Sequence, residues 1–273
     1  MMRSLLYVPA SSERFIAKAH ERGADAIILD LEDSVLPADK LSARAELAEA
    51  VPAVGRNGAK VFVRINADAG LMFADAEAAC RAGAFGLYVP KARQAQTFAD
   101  LAAFLNRIEV PLRRPEMSFV ALIEDPGAVL DARLIAKAPR VMALSAGGED
   151  LALALGAQPV PEVLRLPKLL IHYAAKAEGL LSFGMLRSTA DYADHDGIVA
   201  AAREARMHGF DGASCVHPAV VGLLNDGFSP SAAELDWARR VVEAAQTGAG
   251  SFVIDERMVD APVIARARRM LGI

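Results

Sequence analysis

The chain has 273 residues, with 34 acidic against 30 basic side chains and a formal charge of −4. Hydrophobic residues make up 53% and charged residues 23%, enough apolar material for a sizeable core, which excludes wholesale disorder. Mild acidity without a clustered basic face excludes nucleic acid as an expected partner, and no stretch approaches the roughly 20 apolar residues of a membrane span.

Short apolar runs that end in polar residues recur along the chain, each followed by a longer helix-like stretch. The first is Leu5–Val8, ending at Pro9, and Ser12–Arg22 after it predicts a helix opened by a capping serine and closed at Gly23. Ala26–Leu31 ends in Glu32 and Asp33 and is followed by an amphipathic Leu41–Val51. Val61–Ile65 carries Arg64, ends at Asn66 and leads to a helix over Ala74–Ala82. Gly86–Val89 ends in Pro90 and Lys91, with Gln96–Asn106 helical behind it. Phe119–Ile123 leads into Glu124, and Val141–Ser145 into Gly147, Gly148, Glu149 and Asp150. Ser182–Leu186, interrupted by Gly184, and Gly212–Val216, ending at His217 and Pro218, complete eight runs, with a helix over Val199–His208 between them.

Runs rich in Val, Ile and Leu suit strands buried on both faces, and strict alternation with helices predicts parallel strands. Eight such units favour a closed (β/α)8 TIM barrel over 1–230 rather than an open doubly wound sheet, and no GxGxxG or Walker pattern follows the first strand. Beyond Pro230 the pattern changes. A helix over Ala232–Ala245 carries the only tryptophan, Trp237; Gly248-Ala249-Gly250 breaks it, a short run Ser251–Ile254 follows, and a last helix spans Pro262–Leu271. This C-terminal helical extension, 231–273, is expected to pack outside the barrel or on a neighbouring subunit. Cys80 and Cys215 stand alone without a CxxC pattern, and the opening MMRSLLYVPA lacks the features of a signal peptide, so a cytoplasmic location is expected.

Barrel chemistry gathers where strands end at the C-terminal face. Those ends carry Glu32, Asp33, Arg64, Lys91, Glu124, Glu149, Asp150 and His217. Glu124 and Asp150 follow adjacent strands, and two carboxylates with few histidines nearby suit a hard ion such as Mg2+; helix capping or salt-bridging is the competing reading. Arg64 interrupts an apolar run, so its guanidinium needs an anion. That anion is either a substrate carboxylate or an internal partner, Glu32 or Asp33. Gly147-Gly148 allows close backbone approach to a ligand, or simply a tight turn. Lys91 at a strand end is a less favoured Schiff-base candidate, and His217 beside a proline reads as structural.

Taken together, Arg3-Ser4-Leu5-Leu6-Tyr7-Val8-Pro9, Leu29-Asp30-Leu31-Glu32-Asp33-Ser34-Val35, Val63-Arg64-Ile65-Asn66, Pro90-Lys91, Ala121-Leu122-Ile123-Glu124, Glu149-Asp150-Leu151, Gly209-Phe210-Asp211-Gly212, His217-Pro218 and Met258-Val259-Asp260-Ala261-Pro262 resemble the citrate lyase β-subunit-like proteins of the HpcH/HpaI aldolase superfamily. The resemblance implies a homotrimer of barrels, each with a C-terminal segment reaching onto its neighbour. Glu124 and Asp150 match Mg2+ ligands, and Arg64 matches the arginine that holds a 2-oxo acid carboxylate. Asp260 matches an acid delivered across the subunit interface; with Arg64, Glu32 and Asp33 it makes up the expected catalytic set. Lys40 and Arg44 match basic positions near the site, expected to bind substrate with Gly147, Gly148 and Lys168.

The implied chemistry is cleavage of a 3-hydroxyacyl-CoA thioester, of citramalyl-CoA or malyl-CoA type, to acetyl-CoA and a 2-oxo acid. The Gly147-Gly148 backbone is expected to meet the enolate charge, and Asp260 to protonate the enolate carbon or to activate water. Alternatives from the same resemblance are a citrate lyase β subunit acting on an acyl-carrier-protein thioester, a malyl-CoA-type thioesterase, and a metal-dependent aldolase for free 2-oxo acids. Three departures stand out. Asp125 follows Glu124 where a small hydroxyl residue is frequent and is expected to add charge beside the metal. Lys168 replaces an arginine at the start of the sixth crossover helix, and Leu186-Arg187-Ser188-Thr189-Ala190-Asp191-Tyr192 replaces an aromatic-plus-acidic loop.

Overall fold

A computed structural model describes residues 2–188, 192–246 and 251–273. The chain divides into two compact units, Met1–Phe228 and Ser229–Ile273.

In the first unit strands and helices alternate. The order is β1 (Ser4–Pro9), α1 (Glu13–Ala19), β2 (Ala26–Asp30), α2 (Lys40–Gly55), β3 (Lys60–Arg64), α3 (Ala69–Ala82), β4 (Gly86–Val89) and α4 (Ala95–Leu112). Then come β5 (Ser118–Ile123), two short helices α5 (Pro126–Leu130) and α6 (Ala132–Ala136), β6 (Val141–Ala146), α7 (Gly148–Ala154) and α8 (Pro161–Ala177). Finally β7 (Leu181–Phe183), α9 (His195–His208), β8 (Ala213–Cys215) and α10 (Ala219–Phe228) complete it. The strands are parallel in the order β7-β6-β5-β4-β3-β2-β1-β8. A parallel bridge from Phe183 to Gly212 joins β7 to the approach of β8 and closes the barrel. Closure there needs a glycine, because a Cβ on Gly212 would collide with the Met2 carbonyl oxygen across the β8–β1 seam.

The strand alternation explains the barrel's two cores. Side chains of one parity, Leu5, Ala26, Ile28, Phe62, Tyr88, Val120, Leu122, Ala143 and Phe183, fill the interior. Their neighbours of the other parity, such as Leu6, Ile27, Leu29 and Val63, pack against the helices. A run apolar at every position is therefore what a strand buried on both faces requires, and β2, Ala-Ile-Ile-Leu-Asp, is buried throughout.

Some local expectations needed revision. Ser12 precedes α1, but its hydroxyl makes no capping bond. The seventh strand is only three residues, ending before Gly184. α8, unmarked by the apolar spacing, opens on Pro161 and continues through Pro167. Residues 189–191 of the departing loop, and Gly248-Ala249-Gly250, lie outside the described residues.

The second unit comprises α11 (Ala232–Ala245), a hairpin of β9 (Phe252–Ile254) and β10 (Arg257–Val259), and α12 (Ala261–Leu271). α11 opens on a capping box: Glu234 N donates to Ser231 Oγ, and Ser231 N donates to Glu234 Oε2 at 2.8 Å. The hairpin turns through Asp255 and Glu256, both at positive φ. Ala238, Val241, Val259 and Ala267 form its small core. Among the described residues no helix is long and apolar enough to cross a membrane.

Candidate active site

A cavity of about 400 Å³ opens at the C-terminal ends of the strands, lined on one side by Tyr7, Asp30, Asp33 and Arg64 and on another by Glu124, Gly147, Gly148, Asp150 and Lys168. A larger cavity, about 760 Å³, lies at the opposite mouth, near Asp25, Lys60 and Phe85. It sits at the strand starts, and its Asp25 is already paired with Arg3 and its Asp211 with Lys176. Barrel enzymes place their chemistry at the other end.

On the first wall, β3 ends at Arg64 and β2 at Asp30, and the register pairs the two residues directly. The guanidinium forks onto Asp30, Nε to Oδ1 at 2.6 Å and Nη2 to Oδ2 at 2.7 Å. Nη1 reaches Asp33 at 3.0 Å and stands 3.0 Å from Glu32 Oε2, while the cation lies 5.1 Å over the Tyr7 ring. Burial alone would raise the Asp30 carboxyl, but the Arg64 fork outweighs it and holds Asp30 below the ordinary range. For Arg64, burial pulls the other way and the same fork wins, so the guanidinium is more firmly protonated than usual. Sequence reasoning offered Glu32 or Asp33 as internal partners and missed Asp30, the strongest of the three. A charged residue closing the buried run Ala-Ile-Ile-Leu-Asp was the available signal.

The second wall is built differently. Glu124 closes β5, is 6% exposed, and accepts one bond, from Lys91 N at 2.6 Å. Burial, reinforced by the charges of Glu32 and Asp150, pushes its carboxyl up to about 7. Gly147 explains how it fits: a Cβ there would stand 2.6 Å from Glu124 Cγ and Oε1. Gly147 N donates to Ile123 O at 3.0 Å, so this N–H is spent on the sheet edge. The glycine makes room for Glu124. Asp150 follows in the first turn of α7. Lys168, in the middle of α8 rather than at its start, is 5% exposed and donates to Arg187 O at 2.7 Å. Burial pushes its ammonium down to about 8.

The remaining expected residues fall elsewhere. Lys40 spends its ammonium on Leu31 O, Glu32 O and Asn66 Oδ1, at 3.0, 2.9 and 2.5 Å. Arg44 pairs with the fully buried Asp75 at 2.6 Å, and Asp75 also receives both N–H groups of Asn66. Neither Lys40 nor Arg44 lines the cavity. Lys40 anchors the Leu31–Glu32 backbone, and Arg44 holds the Asp75 that receives Asn66. Lys91 Nζ pairs with Glu32 Oε1 at 3.0 Å, which raises its pKa and removes the neutral amine that a Schiff base needs. Asp125 is not extra charge at the ion site: its oxygens go to Arg93 Nε and Ala128 N. His217 is exposed, stacks on Tyr192 and accepts from Ala219 N. Asp260 belongs to the second unit, where its Oδ1 accepts from Val263 N and caps α12.

Among the described residues no group of three His, Cys, Asp or Glu side chains is gathered as a closed metal cage. Mg2+ does not need one, since it keeps water and substrate oxygens around one or two carboxylates. The local chemistry fits that ion. Glu32 Oε2 is buried without a hydrogen bond despite its proximity to Arg64, and Glu124 is held in a pocket where its ionised form lacks a cation.

The chain is similar to proteins of one known family. Residues 3–218 match the family model HpcH/HpaI aldolase/citrate lyase. A (3S)-malyl-CoA thioesterase of Cereibacter sphaeroides is 34% identical over 99% of this chain and 93% of its own length. The citrate lyase subunit beta of Escherichia coli is 34% identical over 99% and 92%. The crystal structure of CitE from Mycobacterium tuberculosis in complex with magnesium, acetoacetate and coenzyme A superposes with a TM-score of 0.82 at 31% identity, covering 99% of this chain and 97% of that one. With its barrel, its strand-end carboxylates and this match along nearly its whole length, the chain belongs to the HpcH/HpaI aldolase/citrate lyase family.

Proposed function

We propose that the protein is a Mg2+-dependent carbon–carbon lyase that cleaves a 3-hydroxyacyl-CoA thioester, of citramalyl or malyl type, to acetyl-CoA and a 2-oxo acid. The observation that carries this reading is Glu124, a buried carboxyl pushed up to about 7 between Glu32 and Asp150, with no ion pair of its own among the described residues. Glu124 and Asp150 would hold the ion. Mg2+ bound there supplies a Lewis acid for the 2-oxo oxygen. Arg64, with three of its five N–H donors committed, retains donors for the carboxylate of that same half. Asp30 keeps the fork oriented, and the Lys40–Asn66–Asp75–Arg44 chain fixes the loop that carries Glu32 and Asp33.

Asp260 would be delivered by a neighbouring copy in a homotrimer to protonate the enolate carbon. An exposed apolar stripe on α8, Leu166, Leu170 and Tyr173, supports such assembly. Mixing Asp260→Ala with Arg64→Ala subunits is expected to restore part of the activity that each lacks alone. Confirmed mixed trimers without recovery would count against a shared site.

The malyl-CoA thioesterase relative favours a second reading, in which Asp260 activates water and the thioester is hydrolysed. Product analysis with citramalyl-CoA and malyl-CoA, each with Mg2+ and with chelator, separates the two. Acetyl-CoA plus pyruvate or glyoxylate, lost on chelation, is the expected outcome. Free CoA without carbon–carbon cleavage would establish the hydrolase. No turnover would overturn both in favour of a carrier-protein thioester or a free 2-oxo acid.

A further inference from the structure

Resting on the lyase reading, we propose that Lys168 is the oxyanion donor of this site, its ammonium holding the thioester carbonyl oxygen as that oxygen takes on enolate charge. Cleavage removes the proton of the substrate's 3-hydroxyl to a carboxylate base. The C2–C3 electron pair moves into the thioester, where it rests on the carbonyl oxygen as an enolate, and C3 leaves as the carbonyl carbon of the 2-oxo acid. A proton returned to C2 completes the acetyl thioester. Between bond breaking and protonation one full negative charge needs a donor at the acetyl end, away from the groups that hold the 2-oxo acid.

The obvious candidate, the backbone of the two-glycine turn, is only partly free. Gly147 N–H is committed to Ile123 O. Beside the next residue stands Lys168: a Cβ on Gly148 would lie 3.4 Å from its Nζ, whereas the Cβ position of Gly147 abuts Glu124. Carboxylate and ammonium thus flank one two-residue turn. Both line the same cavity.

Lys168 differs from the other cations nearby. Arg64 meets three carboxylates and Lys91 meets Glu32, but Lys168 has no ion pair among the described residues. Among the described residues its one acceptor is the neutral carbonyl of Arg187, which takes one of its three N–H donors. Glu149, the acid whose charge acts on Lys168, accepts from Ser188 Oγ. An unpaired buried ammonium costs stability, and its low exposure suits a group deep in the cavity better than a CoA phosphate at the mouth. Such a charge, preorganised where charge develops, favours the transition state over the bound substrate.

The test uses the full-length enzyme, Mg2+, and the acyl-CoA that the wild type cleaves. Lys168→Met, similar in length but uncharged, is expected to lower kcat by about 100-fold or more with KM nearly unchanged. Calorimetric binding of pyruvate with Mg2+ should stay within about threefold of wild type, and Tm should be equal or higher because the buried charge is gone. Lys168→Arg should recover part of kcat. A raised KM with unchanged kcat would make Lys168 a CoA anchor and overturn the proposal. So would a kcat within about threefold of wild type, or activity falling in step with Tm and with pyruvate binding. A wild type that cleaves no acyl-CoA would overturn the lyase reading and this assignment with it; an active wild type beside an unimpaired Lys168→Met enzyme overturns this assignment alone.

Discussion

The two walls of the cavity use charge in opposite ways. Around Arg64 the ions are paired: one guanidinium meets Asp30, Glu32 and Asp33, Lys91 also meets Glu32, and Asp30 is held in its ionised form. Around Gly147-Gly148 the charges stand unmatched. Among the described residues neither the buried Glu124 nor the buried Lys168 has an ion pair. The first wall is held by its own ion pairs and fixes geometry. The second stores unfavourable burial that a ligand relieves, or at Glu124 a proton, and there binding energy acts on chemistry.

Breaking the matched wall should have the largest effect. Arg64→Met leaves Asp30 buried and unpaired and Glu32 with Lys91 as its remaining cation, so a loss of about 3–5 kcal/mol in urea unfolding is expected, together with loss of turnover. A variant as stable as wild type would show that the fork contributes little.

The pH dependence of the two walls sharpens the contrast. Glu124 has its folded pKa raised from 4.5 to about 7, so the folded state binds more protons than the unfolded between those values. Its contribution is fully present below pH 4.5 and is lost as pH rises through 7, by roughly 3 kcal/mol in metal-free protein. Asp30 runs the other way: its folded pKa is depressed below 3.8, so its contribution is present above that value and is lost as pH falls. Urea midpoints at pH 5 and 7.5, in chelator, should therefore differ between wild type and Glu124→Gln, with the variant lacking the decline. Added Mg2+ should restore wild-type stability at pH 7.5 and leave Glu124→Gln unchanged. Parallel pH profiles for the two proteins would refute the assignment of the slope to Glu124.

A smaller effect is expected from Gly147→Ala. Its methyl group would press on Glu124, an overpacking cost of about 1–3 kcal/mol, and should weaken Mg2+ binding measured by calorimetry. Unaltered affinity would mean that Glu124 can move aside freely.

Much of this was legible in the sequence. Apolar runs of five or six residues ending in Glu, Asp, Arg or Lys mark barrel strands and their functional rim, because a strand buried on both faces must be apolar until it emerges. Glu124, Asp150 and Arg64 could be named on that ground. What the sequence could not weigh was which partners those charges would find. Lys40 and Arg44 looked like substrate contacts, yet Asn66 and Asp75, brought in by β3 and α3, take them up. Asp125 looked like added charge at the ion site, yet Arg93 and the α5 cap absorb it.

The sequence by itself determined the β–α alternation, the barrel and the rim of carboxylates, since these follow from periodicity and from the cost of burying polar groups along a strand. Only the tertiary structure decided which charges are neutralised and which are left waiting. Asp30 rather than Glu32 receives the Arg64 fork because the parallel register sets residues 30 and 64 side by side. Lys168 is a buried cation without an ion pair among the described residues, because α8 packs its eighth residue beside the Gly147-Gly148 turn. Pairing of this kind depends on distances of a few ångströms between residues remote in sequence, and the packing of the elements sets those distances.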